Sequence, residues 1–154
     1  MRILLAAVGR PRDPSLAPAI REYESRIARY FKLETVEVRD APAGRDDARA
    51  REEESAALLS AIPEGFEVVT LDPAGEAWSS EELARFLGDL ALYGRPGAAF
   101  VIGGPRGLAG SLLERASRRW ALSRLTLPHE LARLVVAEQL YRAGTILRGE
   151  PYHR

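Results

Sequence analysis

The stretch Ala98-Ala99-Phe100-Val101-Ile102-Gly103-Gly104-Pro105-Arg106-Gly107 decides the architecture. Five consecutive apolar residues without polar alternation predict a strand buried on both faces, and paired glycines followed by proline end it abruptly. Strands of this kind belong to parallel sheets covered by helices. The pattern recurs upstream. Ile3 to Val8 is an aliphatic run closed by Gly9, and Phe66 to Leu71 is another, turned by Asp72-Pro73-Ala74-Gly75. Leu33 to Arg39 alternates apolar and charged residues, as a half-buried strand does.

Helical signals fill the intervals. Asp13-Pro14-Ser15 opens a helix with Leu16, Ile20, Tyr23 and Ile27 at helical spacing. Asp46 to Ala61 is rich in alanine and glutamate, with high helix propensity but a weak apolar stripe. Ser79 and Glu82 form a capping box ahead of Leu83, Phe86, Leu87 and Leu90. A short helix is expected around Ser111 to Ser117, then an apolar segment near Trp120 to Leu127. A last helix is expected from Pro128 to about Leu147, broken by Gly149. Strands alternating with helices predict one α/β domain over residues 1–154, mainly a parallel sheet flanked by helices.

Composition bounds the function. A chain of 154 residues with 46% hydrophobic and 29% charged residues suits one ordinary globular domain. With no cysteine and only His129 and His153, disulfides, thiolate-zinc sites and cysteine nucleophiles are excluded and no metal is expected. No apolar run approaches the roughly 20 residues of a membrane span, and the opening run is too short for a signal peptide, so a cytoplasmic protein is expected. The formal net charge of zero conceals an asymmetry. Residues 40–90 carry 13 acids against 4 bases, whereas residues 103–154 carry 9 arginines against 4 glutamates, a basic region that suits a polyanion or simply solvates helix faces.

In open α/β sheets, ligands bind beyond the carboxyl ends of strands. Three turns qualify: after Leu71, after Ile102 and after the Trp120 to Leu125 segment. Gly103-Gly104 lets a backbone approach a ligand closely, or is simply a tight strand-to-helix turn; it lacks the dinucleotide fingerprint and no phosphate-loop lysine follows. Leu122 to His129 offers backbone polar groups between apolar walls to an adenine-sized ring, or is a strand, turn and helix start with Ser123 or Thr126 as a local cap. His129 and Arg133 share a helical face that suits an anion, or form an exposed surface pair. Tyr152-His153-Arg154 gathers an aromatic ring, an imidazole and a guanidinium that would suit a base and a phosphate, or is a frayed terminus.

Four ordered motifs then carry a resemblance across essentially the whole chain. They are Val101 to Leu108, Leu122 to His129, Glu138-Gln139-Leu140-Tyr141-Arg142-Ala143 and Gly149-Glu150-Pro151-Tyr152-His153. Together they resemble the ribosomal large-subunit pseudouridine N3-methyltransferases, small members of the SPOUT class of trefoil-knotted RNA methyltransferases. The resemblance implies S-adenosylmethionine as methyl donor, held in a C-terminal trefoil knot. Its positions here are Leu71, Gly103, Gly104, Leu122, Ser123, Arg124, Leu125, Thr126 and Leu127. It also implies a homodimer with active sites completed near the subunit interface, acting on 23S ribosomal RNA in the large subunit or the 70S ribosome. The candidates for the chemistry are His129, Arg133, Arg142, Tyr152, His153 and Arg154, the tail folding over the base. His153 is the better proton acceptor and His129 the better orienting group. Around residues 43–62, where members often carry more lysine, Asp46 and Asp47 intrude. Two rivals are a methyltransferase of the same class acting on another RNA base, and a non-catalytic ribosome-binding module that would take up no donor.

Overall fold

A computed structural model describes residues 1–154. Five strands, β1 (Arg2–Val8), β2 (Lys32–Val38), β3 (Glu67–Ala77), β4 (Gly97–Ile102) and β5 (Arg118–Ala121), form one sheet in the order β2-β1-β4-β3-β5. Every neighbouring pair runs parallel. Helices α1 (Ala17–Ile27), α2 (Asp47–Ala61), α3 (Ser80–Leu92), α4 (Gly110–Arg115) and α5 (His129–Leu147) supply the crossovers and the C-terminal layer. None of them is long and apolar enough to cross a membrane.

The pleat sorts the apolar runs into two cores. Ile3, Leu5, Ala7, Val69, Phe100 and Ile102 face α1, α3 and α5, meeting Ile27, Leu83, Leu87, Val136 and Leu140. Leu4, Ala6, Val8, Val68, Ala99 and Val101 face the other way, onto Leu58 of α2 and Leu112 of α4. Each such side chain gains about 1.5–3 kcal/mol from burial, which is why β1 and β4 carry no polar residue in their interiors. The helix starts follow their caps: Asp46 accepts from the Arg49 N–H, and Ser79 and Glu82 exchange both bonds of the capping box, 3.0 and 2.6 Å.

The structure corrects two boundaries. Asp72-Pro73-Ala74-Gly75 does not end the third strand. Leu71 and Glu76 both stand opposite Trp120, so residues 72–75 are looped out and the strand resumes to Ala77. Asp72 accepts from the Ala74 N–H at 3.0 Å and stabilises the excursion, while a side chain on Gly75 would collide with the Arg119 carbonyl. The fifth strand begins at Arg118 rather than Trp120 and stops at Ala121, leaving residues 122–128 without regular structure. Exposed arginines on a short edge strand hide it from a search for apolar runs.

The connections leave β1 and β4 in opposite directions, β1 toward β2 at one edge and β4 toward β5 at the other. Between such diverging strands their carboxyl ends open a crevice.

Candidate functional site

Three turns close on one cavity of about 750 Å³. The loop excursion of β3 supplies Leu71, Asp72 and Pro73; the turn after β4 supplies Ile102 to Pro105, Gly107 and Leu108; the segment after β5 supplies Leu122, Ser123 and Leu125 to Pro128. His129 and Ala132 from the start of α5 complete the wall with Leu113 and Trp120. The lining is mostly apolar, with Asp72 its one carboxylate and His129 its one imidazole. A volume within the range for small-ligand sites and a few polar groups on apolar walls suit a nucleoside-sized molecule.

Of the residues that the resemblance assigns to a donor, Leu71, Gly103, Gly104, Leu122, Ser123, Leu125, Thr126 and Leu127 line the cavity; Arg124 does not and is exposed. Ser123 also accepts from the Leu125 N–H at 3.0 Å, so the local capping role and the wall role coexist in one hydroxyl. Space at both glycines is tight. A Cβ on Gly103 would stand 3.0 Å from the Leu108 side chain and 3.1 Å from the Gly107 backbone, and one on Gly104 would stand 3.2 Å from Val8. Leu125 is 71% exposed at this site, an apolar side chain that nothing in the single chain covers. Asp72 and Trp120 belong to two of the turns read as ligand positions but are not singled out in the sequence, and Leu113, from the short helix α4, is missed.

The residues put forward for chemistry separate into three places. His129 stands in the cavity wall. Arg133, one turn on, is only 5% exposed, with Nε donating to Glu24 at 2.9 Å and Nη1 to Glu37 at 2.6 Å. Burial opposes its charge, but bonds and attraction from both carboxylates outweigh that and raise its pKa. The guanidinium is therefore already neutralised, tying α5 to α1 and β2 rather than standing open to an anion.

Arg142 lies toward the other end of α5, about 20 Å along the axis from His129, and the tail folds back beside it to Glu138, about 14 Å along the axis from His129. The tail is docked as a 3-10 turn, Pro151–His153. Glu138 accepts from Arg142 Nε and Nη2 at 3.0 and 2.6 Å and from the Tyr152 hydroxyl at 3.1 Å. The Tyr152 ring packs edge-on against Tyr141 at 4.6 Å, with the Arg142 guanidinium 4.9 Å from its centre. His153 buries Nδ1 without a partner. Within one chain, then, the cavity and the tail do not meet.

A second latch holds the tail. The Tyr30 hydroxyl donates to Glu150 at 2.5 Å, and that bond, with burial, pushes the phenol up to about 12. Tyr152 is raised too, by burial and by its bonds with Tyr23 and Glu138. A phenol that keeps its proton longer in the folded chain stabilises the fold fully below the ordinary tyrosine value near 10, and loses that contribution as pH rises toward 12. Tyr30→Phe is therefore expected to flatten the fall of the melting midpoint between about pH 10 and 12, as thermal melts across that interval would register. An equally steep fall would mean that the latch does not form.

Comparisons place this geometry among known proteins. Residues 1–153 match the family model described as Predicted SPOUT methyltransferase. The chain is 48% identical over 155 residues to a protein of Gemmatimonas aurantiaca and 49% identical over 154 residues to one of Anaeromyxobacter sp., each match covering 100% of both chains. It is 49% identical over 155 residues to a protein of Rubrobacter xylanophilus, covering 99% of this chain and 98% of that one. All three relatives bear the name Ribosomal RNA large subunit methyltransferase H.

Proposed function

Because the chain belongs to the SPOUT methyltransferase family, we propose that it methylates N3 of a pseudouridine in 23S ribosomal RNA, using S-adenosylmethionine and working as a homodimer on the assembled large subunit or 70S ribosome. The observation that carries this reading is the convergence of three strand-end turns on one apolar cavity with His129 in its wall. The residues fit the donor: Ile102, Leu122 and Leu127 offer apolar faces to a purine, Gly103 and Gly104 let backbone come close, and Asp72 is an acceptor suited to a sugar hydroxyl. Bound there, S-adenosylmethionine supplies an electrophilic methyl group on a sulfonium. The C-terminal trefoil knot belongs to the same proposal.

The residues then divide the work. N3 of the base must lose its proton as the new N–C bond forms and the S–C bond breaks, so alignment and proton removal are what the protein contributes. His129 orients the base beside the cavity, and His153 takes the proton. Arg142 and Arg154 stabilise the negative imide, and Tyr152 packs on the ring. Arg133 keeps the first turns of α5 in place through Glu24 and Glu37. With Tyr152 docked on Glu138, about 14 Å along α5 from His129, the tail that completes a site comes from the second copy. Pairing also pools two basic C-terminal regions on a chain of zero net charge, which favours folded ribosomal particles over naked RNA and makes docking weaken with salt. A ribosomal substrate places the reaction in the cytoplasm. Incubating ribosomal particles with methyl-labelled S-adenosylmethionine tests the reading: label is expected in large-subunit RNA, and particles that stay unlabelled would refute it.

A further inference from the structure

A second cavity, of about 450 Å³, adjoins the first and shares Pro105 and His129 with it. It fills the crevice between the diverging strands β1 and β4, where Val8, Gly9, Arg10 and Arg12 from one loop face Pro105 and Arg106 from the other. Topology alone makes this a ligand position. Its walls are also held in place without any ligand. Glu130, the residue after His129, accepts from the backbone N–H groups of Arg12 and Asp13 at 2.6 and 3.1 Å. The carboxylate of Glu54, only 2% exposed, accepts from the Ala41 N–H at 2.9 Å and from Arg106 at 3.4 Å, so one buried group ties the loops after β2 and β4 together.

Three guanidiniums, Arg10, Arg12 and Arg106, and three carboxylates, Asp40, Asp47 and Glu130, line this crevice, where the first cavity has Asp72 alone. Glu130 is taken up by two backbone N–H groups and Arg106 by Glu54 and Asp47. Arg10 is exposed and makes no ion pair. The Arg12 side chain is 73% exposed and its one partner, Asp40, lies 3.3 Å away; such a surface pair is weak and readily exchanged for a phosphate. We propose that this crevice receives the acceptor nucleotide of the RNA, with Arg10 and Arg12 on its flanking phosphates and its pyrimidine ring beside the shared residues Pro105 and His129, where the crevice meets the donor cavity. The assignment rests on the methyltransferase reading and adds to it the place of the acceptor. A transfer that needs nitrogen, methyl carbon and sulfur in line requires acceptor and donor pockets side by side and open to each other where the reacting atoms meet. This pair has that arrangement.

Two variants test it, Arg10→Glu and Ala43→Trp. Ala43 is an exposed residue that lines the second cavity and not the first, so its bulk obstructs the crevice and spares both core and donor walls. Single-turnover methylation of large subunits is measured below saturation, with donor affinity followed by calorimetry. Both variants are expected to bind S-adenosylmethionine as the parent chain does and to methylate at least about tenfold more slowly; Arg10→Glu should also lower the salt slope by about one or more. Full rates in both variants would overturn the assignment. So would a loss confined to Arg10→Glu, because a charge acting at a distance needs no occupied crevice, and so would weakened donor binding in Ala43→Trp. A parent chain that binds no donor would instead remove the methyltransferase reading on which the assignment stands.

Discussion

A Gly103→Val chain is expected to fold and to bind S-adenosylmethionine between about tenfold and a hundredfold more weakly than the parent chain. Gly103 has no left-handed backbone, so valine meets no conformational penalty there; the obstacle is space. A Cβ would stand 3.0 Å from two atoms of Leu108 and 3.1 Å from the Gly107 carbonyl carbon. The leucine can turn aside, but the backbone moves only if the loop opens. Overpacking of this kind costs about 1–3 kcal/mol, well below the stability of a domain of this size, so the fold survives. The same strain falls on the wall that grips the donor, and each 1.4 kcal/mol there is about a factor of ten. Calorimetry reads the loss directly, and an undiminished affinity would place the donor elsewhere.

The second large effect concerns the division of the site between chains. A chain ending before Pro151 lacks the docked turn and should bind donor normally yet transfer no methyl group, since the tail lies far from its own cavity. The Gly103→Val chain keeps its tail and lacks a competent cavity. Mixed, allowed to exchange subunits and assayed at a donor concentration that fills the parent cavity but leaves the Gly103→Val cavity empty, the two proteins are expected to recover about a quarter of the parent activity, because half of the random dimers are mixed and each mixed dimer holds one intact cavity facing one intact tail. No recovery after verified exchange would mean that each chain completes its own site, and the tail would then have to leave Glu138 and Tyr141 and cross to its own cavity.

Much of this was visible before any coordinates. The runs Ile3–Val8 and Ala98–Ile102 are apolar throughout because both sheet faces are covered, and their alternation with helical segments points to a parallel sheet. The capping box at Ser79 is a local bond pattern and survives any tertiary context. The turns that close on the first cavity were also legible, since strand ends in a parallel sheet are where ligands sit. What was not legible is non-local. The β3 excursion depends on Leu71 and Glu76 sharing Trp120, a register that no single segment encodes. Arg133 looked like an anion site because its helical neighbour His129 was visible, whereas Glu24 and Glu37 reach it from α1 and β2. Glu54 seemed one acid among several on a polar helix, yet it is buried between two loops. The second cavity draws on Arg10, Asp40 and Arg106, residues brought together only by the order of the strands.

The product of the reaction tests the central claim most directly. Large ribosomal subunits from cells lacking this protein would be incubated with the purified chain and S-adenosylmethionine, and their 23S RNA digested and analysed as nucleosides by mass spectrometry. N3-methylpseudouridine, absent before incubation and approaching one per particle after it, is the result expected. RNA that gains no methyl group, or gains it on another base, would contradict the account.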